Sequence, residues 1–228
     1  MKILAIETAT EACSAALLID GSLVQRYQVA PREHGNLILQ MVDELLKEAG
    51  VSLQQLDALA FGQGPGSFTG VRMATGVIQG LAFAADVPVV GVSTLMALAQ
   101  QVENTGDVQT IYAAMDARMG EVYWCEYQSK DGVVKPTDDE CVILPHQVSA
   151  IGRVNTVAIG HGWRTYSHEL EKSLGAVPKL LIPDALPRAK EVALLAVNKV
   201  EKGETVSAEN ALPVYLRDNV AKKKEQQK

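Results

Sequence analysis

Two stretches of this 228-residue chain begin in the same way, and this repetition constrains the fold more than any other feature of the sequence. Each begins with an apolar run, residues 2–8 and 110–115, that is typical of a buried strand. An acid, Glu7 or Asp116, ends each run, and a turn and a second strand follow. The pattern predicts two duplicated α/β halves with a cleft between them.

Local turn and helix signals predict the secondary structure of the two halves. Asp20-Gly21 predicts a hairpin between two early strands, and Gly50 is placed to end a helix that begins after Pro31. Further helices are predicted up to about residue 85, over residues 94–102 and over residues 189–202. We place the domain boundary at the polar break over residues 104–107. The predicted domains are residues 1–105 and 106–221, followed by a flexible basic tail over residues 222–228.

The charge distribution limits the partners of the chain. It has 21 Lys plus Arg and 27 Asp plus Glu, a net charge of −6. The last seven residues hold four lysines against one glutamate, so the rest of the chain carries a net charge of −9. Such a body repels a phosphate backbone, and autonomous nucleic-acid binding is not expected. The tail is expected to be solvated, with a weak contact to nucleic-acid phosphates as the alternative.

The cysteines and the N-terminus indicate a cytoplasmic location. Cys13, Cys125 and Cys141 are an odd number without metal-binding spacing, which predicts free thiols in a reducing compartment. The N-terminus reaches an acid at residue 7 and has no hydrophobic run followed by a small-residue cleavage site, so no signal peptide is expected. The longest uncharged stretch, residues 87–102, contains Pro88 and several polar residues. We expect a soluble cytoplasmic protein that does not contact a membrane.

A glycine-rich segment over residues 62–72 is the sharpest local motif. Its four glycines permit a tight turn, Ser67 or Thr69 is placed to cap the following helix, and the start of a helix favours an anion. The spacing matches neither a Walker A loop nor a dinucleotide fingerprint. Two interpretations stay open: a structural turn, or phosphate and nucleotide contact. The candidate contact residues are Glu7, Thr8, Gly66, Ser67, Thr69, Arg72 and Asp116.

Small residues repeat every four positions on the helix that follows. A glycine inside a helix costs about 1 kcal/mol relative to alanine, so Gly76 and Gly80 need a packing reason. One interpretation is close contact with the first helix of this chain, and the other is a docking face for another subunit. The wide apolar arc of the first helix supports the second interpretation. The predicted interface residues are Leu37, Met41, Leu45, Met73, Gly76, Val77, Gly80 and Ala84.

Motifs for conventional catalysis are few. The four histidines show no helical pair and no metal-ligand spacing, and no serine-hydrolase elbow is present. We therefore predict no catalytic residue and no metal site. Glu7 and Asp116 are either a pair of cleft carboxylates that holds hydrated magnesium beside nucleotide phosphates or two solvated acids at strand ends.

Four segments resemble the TsaB (YeaZ) family. They are residues 3–10 (ILAIETAT), 64–72 (GPGSFTGVR), 116–123 (DARMGEVY) and 213–217 (PVYLR). The resemblance runs from residue 1 to about residue 220. It implies an α/β fold of the actin, sugar kinase and Hsp70 ATPase type, with two duplicated domains and mixed sheets.

The resemblance also implies a role in tRNA modification. Members of this family are non-catalytic scaffold subunits of the bacterial complex that transfers threonylcarbamoyl from its adenylate to tRNA. The acceptor is N6 of the adenosine next to the anticodon in tRNAs that read codons beginning with A. The implied partners are the catalytic paralogue TsaD, the ATPase TsaE, a second copy when the chain is alone, and tRNA through the complex. ATP and a metal (Mg, Zn or Fe) are expected on those partners.

The sequence departs from the catalytic paralogue where that subunit holds its metal. The two metal-binding histidines of the paralogue fall at Thr94 and Leu98 here, and neither forms a ligand pair. The first phosphate loop lacks the glycine after Glu7, and the second has only Gly120. We therefore expect no cofactor on the isolated subunit. The rival hypothesis is an ATP-dependent small-molecule kinase of the same superfold.

Overall fold

A computed structural model describes residues 1–102, 109–130, 132–150 and 155–217. The predicted domain boundary over residues 104–107 and the basic tail over residues 222–228 lie outside the described residues. Both therefore stay predictions.

The first half contains a mixed five-stranded sheet. Its strands are β1 (Lys2–Glu7), β2 (Ala12–Ile19), β3 (Ser22–Val29), β4 (Ala58–Gly62) and β5 (Val89–Val92). In the spatial order β3-β2-β1-β4-β5, the first three strands are antiparallel, and β4 and β5 continue parallel to β1. The hairpin predicted at Asp20-Gly21 joins β2 to β3 and is confirmed.

The second sheet repeats this arrangement. Its strands are β6 (Gln109–Asp116), β7 (Val122–Lys130), β8 (Val133–Pro136), β9 (Cys141–Ile143), β10 (Thr156–Ile159) and β11 (Leu180–Ile182). The order β8-β7-β6-β10-β11 has the same strand directions as the first sheet, and β9 adds to β7. The expected fold class, two α/β halves with mixed sheets of one repeated topology, is confirmed.

Five α-helices within the described residues cover the sheets and form layers. They are α1 (His34–Ala49), α2 (Phe68–Ala85), α3 (Thr94–Ala99), α4 (His161–Leu174) and α5 (Ala189–Glu201). Helices α1 and α2 pack on the outer face of the first sheet, and α4 packs on the outer face of the second. Helices α3 and α5 share one apolar core with the facing sides of both sheets. Gly50 ends α1 in the left-handed conformation, as predicted.

Helix α5 belongs by chain position to the predicted domain 106–221, but it packs mainly against β1, β2, β4 and β5 of the first sheet. Alanines on that sheet face, including Ala5, Ala16 and Ala60, leave room for the helix to approach. Ser14 in β2 accepts a hydrogen bond from the amide of Ala189, the first residue of α5, at 2.9 Å. The two halves therefore share a core.

The segment after α5 returns across the first half. Val206 pairs with Val89 at the edge of the first sheet, and the amide of Val214 donates to the carbonyl of Gln63 at 2.7 Å. Arg217, at the end of this segment, contacts Glu121 between β6 and β7. The C-terminal segment thus ties the glycine-rich loop to the second half.

Cys13 and Cys125 are buried free thiols, and Cys141 is a half-buried one. Over the part of the chain that the structure describes, no helix has both the length and the apolar composition of a bilayer span.

Candidate functional site

The glycine-rich segment forms the turn from β4 into α2. Ser67 caps α2, because its hydroxyl accepts a hydrogen bond from the amide of Gly70 at 3.1 Å. Of the two predicted capping residues, Ser67 and Thr69, the cap is Ser67. The cap uses one of the amides that a bound anion would need.

Internal packing explains the glycines of this turn. A Cβ atom at Gly66 would overlap Ala9, and one at Gly70 would overlap the carbonyl oxygen of Thr8. The Thr8 hydroxyl also donates to the Gly70 carbonyl at 2.7 Å. The turn is therefore locked against the end of β1, which favours the structural interpretation of the motif.

Glu7 and Thr8, two of the predicted phosphate contacts, are fully buried. One carboxylate oxygen of Glu7 accepts from the amide of Ala9 at 2.6 Å, and the other accepts from the hydroxyl of Thr94 at 3.4 Å. Burial raises the pKa of the Glu7 carboxyl to about 7, partly offset by these hydrogen bonds. The proposed pairing of Glu7 with Asp116 across the cleft is not formed, because Glu7 points into the protein.

A cleft of about 1040 Å³ lies between the two halves. Four of the predicted contacts line it: Gly66, Ser67, Thr69 and Asp116. Asp116 accepts a hydrogen bond from the amide of Arg118 at 2.7 Å, and the Arg118 guanidinium lies 3.6 Å from its second oxygen. Burial lowers the pKa of His161, which also lines the cleft.

The described residues hold no group of three or more His, Cys, Asp or Glu side chains close enough to bind a metal ion. The cleft is also lined by side chains of both charges: the basic residues are Arg32, Arg118 and Arg217, and the acidic ones are Glu11 and Asp116. Arg217 is neutralised by its contact with Glu121. The cleft therefore offers no concentrated charge for a metal–nucleotide complex.

The exposed face of α2 is the second candidate site. Gly76, Gly80 and Ala84 are exposed, and a Cβ atom at either glycine would meet no atom within 4 Å. The interpretation that these glycines allow close contact with this chain's own first helix is therefore wrong. The α2 face has no partner within the described residues, which favours its use as a docking face.

Two residues of the predicted interface need correction. Met41 and Leu45 are buried in the core between α1, α2 and the first sheet, so a partner cannot reach them. The apolar arc of α1 is wide because the sheet and α2 both cover it. Leu37, Met73 and Val77 are half-buried and border the exposed part of the α2 face.

Sequence reasoning missed three aromatic residues beside this face. Phe83 is 83% exposed, and Phe68 and Tyr215 are also exposed. Phe68 and Tyr215 contact Arg72, whose guanidinium lies 3.7 Å from the centre of the Phe68 ring. The Nε of Arg72 donates to the Tyr215 hydroxyl at 2.8 Å, so this predicted phosphate contact is engaged elsewhere. Phe83 was detectable in the sequence, because it lies three residues after Gly80 on the same helical face.

Comparison with known proteins decides the family. The chain is 44% identical over 231 residues to the Escherichia coli (strain K12) protein named "tRNA threonylcarbamoyladenosine biosynthesis protein TsaB", covering 98% of each. The chain belongs to the TsaB family. A Bacillus subtilis (strain 168) TsaB is 30% identical, covering 95% of this chain and 94% of the relative.

The structural comparison agrees with TsaB membership. The solved structure "YeaZ from Pseudomonas aeruginosa" matches with a TM-score of 0.87 and 44% identity, covering 94% of this chain and 99% of that one. The family model described as "TsaD: tRNA N6-adenosine threonylcarbamoyltransferase" matches residues 26–225. The TsaB fold is therefore related to that of the TsaD transferase, as the resemblance implied.

Proposed function

We propose that the chain is a non-catalytic scaffold subunit of the bacterial complex that makes threonylcarbamoyladenosine in tRNA. The observation that carries this proposal is the 44% identity, over 98% of the chain, to a protein named for that biosynthesis. The complex would transfer threonylcarbamoyl from its adenylate to N6 of the adenosine next to the anticodon. From the same identity to a TsaB protein, we propose that the chain is cytoplasmic.

The scaffold role rests on what the described residues provide. Glu7 is buried, and Asp116 in the cleft pairs with Arg118. The α2 face, in contrast, is exposed and has no partner among these residues. We propose that this face binds the catalytic paralogue TsaD, or a second copy of the chain when TsaD is missing. TsaE and tRNA would then reach the chain through the complex, and ATP and the metal would lie on the partners.

The kinase hypothesis is not favoured, because the match covers the full length of TsaB proteins and Glu7 does not reach the cleft. Isothermal calorimetry of the isolated chain with Mg-ATP separates the two hypotheses. We expect no tight binding, and tight binding would favour the kinase.

Depletion of the protein tests the pathway. Nucleoside mass spectrometry of tRNA should show loss of threonylcarbamoyladenosine, restored by the wild-type gene. Persistence of the modified nucleoside in depleted cells would refute the proposed role.

Co-purification tests the docking face. Gly80→Leu places a bulky side chain on the exposed face and should abolish co-purification with TsaD while leaving the circular dichroism spectrum unchanged. Ala176→Leu is the matched control, because Ala176 is exposed in the second half. Equal recovery of TsaD with both variants would exclude this face as the docking site.

A further inference from the structure

Two of the sequence motifs have no part in the proposed function: the turn segment DARMGEVY and the C-terminal segment PVYLR. The structure brings them into contact. Arg217, the last residue of PVYLR, forms an ion pair with Glu121. Its Nη2 lies 3.5 Å from the carbonyl oxygen of Arg118, and its Nη1 lies 3.4 Å from the sulfur of Met119. One side chain therefore contacts three residues of the turn between β6 and β7.

This turn has a backbone conformation that its residues do not favour. Arg118 and Met119 have φ angles of 65° and 57°, and Gly120 follows with 81°. The left-handed region is unfavourable for a residue with a Cβ atom, and such residues stay there only where surrounding contacts determine it. Asp116 accepts from the Arg118 amide within the turn, and Arg217 contributes the contacts from outside. Arg217 thus helps to hold a strained turn.

The C-terminal segment has its other anchor at the start of α2. The amide of Val214 donates to the carbonyl of Gln63 at 2.7 Å, and the Tyr215 hydroxyl accepts from the Nε of Arg72 at 2.8 Å. Residues 213–217 form neither a helix nor a strand, so contacts with the two halves hold them in place. The segment is therefore anchored on the first half at one end and on the second half at the other.

We propose that residues 213–217 are a conformational strap that couples the start of α2 to the β6–β7 turn. Tyr215 and Arg217 both line the cleft, and only two residues separate the two anchors, so displacement of one displaces the other. With the strap seated, Arg217 holds the turn in its left-handed conformation. With the strap released, the turn loses those contacts and relaxes. The strap and the turn are thus one element with two states.

The strap has a consequence for docking, and this consequence rests on the proposed function. Arg72 and Phe68 lie at one end of the α2 face, where Phe68 and Tyr215 are exposed in the isolated chain. A partner that covers this end removes water from the hydrogen bond between Arg72 and Tyr215 and so strengthens it. Docking therefore tightens the strap. Because coupling is reciprocal, release of the strap weakens docking by the same factor.

Hydrogen exchange in the isolated full-length chain tests the strap. The amides of Ala117 and Glu121 report on the turn, since both donate to backbone carbonyls within it. Arg217→Ala should raise their exchange rates by about tenfold. Arg217→Lys keeps the charge but loses the planar fork, should raise the rates by a smaller factor, and replaces the alanine variant if that one is unfolded. Arg164→Ala removes another arginine ion pair of the second half and should leave the rates unchanged.

A substitution at the other anchor tests the coupling. Tyr215→Phe keeps the ring and removes the hydroxyl that accepts from Arg72. It should raise the exchange rates of the same two turn amides by about threefold, a change that a purely local hydrogen bond would not produce. Binding of TsaD should slow exchange at the turn of the wild type. Arg217→Ala should weaken TsaD binding by about fivefold, as measured by calorimetry.

Unchanged exchange at the turn in Arg217→Ala, with a native circular dichroism spectrum, overturns the strap. An effect of Arg217→Ala without any effect of Tyr215→Phe overturns the coupling. Full-affinity binding of TsaD to Arg217→Ala overturns the consequence for docking and leaves the proposed function intact. Failure of TsaD to bind the wild type refutes the docking face instead, because the exchange of the isolated chain is measured without TsaD.

Discussion

Glu7 is the residue whose environment departs most from what its neighbours in the sequence indicate. It follows an apolar strand and precedes a turn of threonines and alanine, where a solvated acid is expected. The fold instead buries it, with hydrogen bonds from Ala9 and Thr94. Thr94 is distant in sequence, so no local pattern could predict this burial.

The buried carboxyl makes stability depend on pH. The pKa of Glu7 is raised from 4.5 to about 7 by burial, so the folded state binds the proton more tightly than the unfolded state. The free energy of unfolding should therefore decrease as the pH rises from about 4.5 to about 7 and level off above that. A pKa shift of this size corresponds to a decrease of roughly 3 kcal/mol in the free energy of unfolding.

Glu7→Gln should remove this decrease. The amide oxygen can accept from Ala9 and the amide nitrogen can donate to the Thr94 hydroxyl, so the packing is kept. The variant should be more stable than the wild type at pH 8, as measured by urea unfolding at pH 5 and pH 8. The same loss of stability in both proteins would assign the pH dependence to other groups.

Glycines of α2 should respond in opposite ways to one substitution. Gly70→Ala should destabilise the fold by about 2 kcal/mol or more, because the new Cβ overlaps the Thr8 carbonyl. Gly76→Ala has open space and should stabilise the fold by up to about 1 kcal/mol through helix propensity. Thermal unfolding of the two variants measures both effects. Destabilisation by Gly76→Ala would show that its surface is not open.

At the scale of elements, the start of α2 depends on a single capping side chain. Ser67→Ala removes the hydroxyl that accepts from the Gly70 amide and should lower the free energy of unfolding by about 1 kcal/mol. Thr69→Ala is the matched control, since Thr69 is exposed at the second position of the helix. Equal effects in urea unfolding would mean that the cap contributes nothing.

The presence of the main helices could be predicted from the sequence, whereas the side of each helix that stays exposed could not. Apolar periodicity and helix-terminating residues predict α1, α2 and α5, because a helix buries one apolar stripe of side chains and ends at residues such as Gly50. Periodicity does not say how many neighbours cover an apolar arc. Met41 and Leu45 were therefore assigned to a partner, although they pack in the chain's own core.

At the scale of the whole molecule, the shared core prevents the halves from folding separately. Helix α5, from the second half, covers a face of the first sheet that includes the fully buried residues Ile3, Val90 and Val92. A fragment of residues 1–105 should lack a cooperative unfolding transition by circular dichroism, because that apolar face is uncovered. Co-expression with residues 106–228 should restore a folded complex. A folded monomeric fragment 1–105 would contradict this.

The sequence by itself determined the repeated α/β topology, a polar cap at Ser67 or Thr69, the family and the small-residue stripe of α2, because these depend on local periodicity, turn chemistry and motif spacing. Only the tertiary structure decided that Glu7 is buried, that α5 crosses to the first sheet and that Phe68, Arg72 and Tyr215 form one cluster. These features depend on contacts between residues far apart in the chain. Chain order does not encode which of several compatible apolar faces will meet, so packing decides which remain free for a partner.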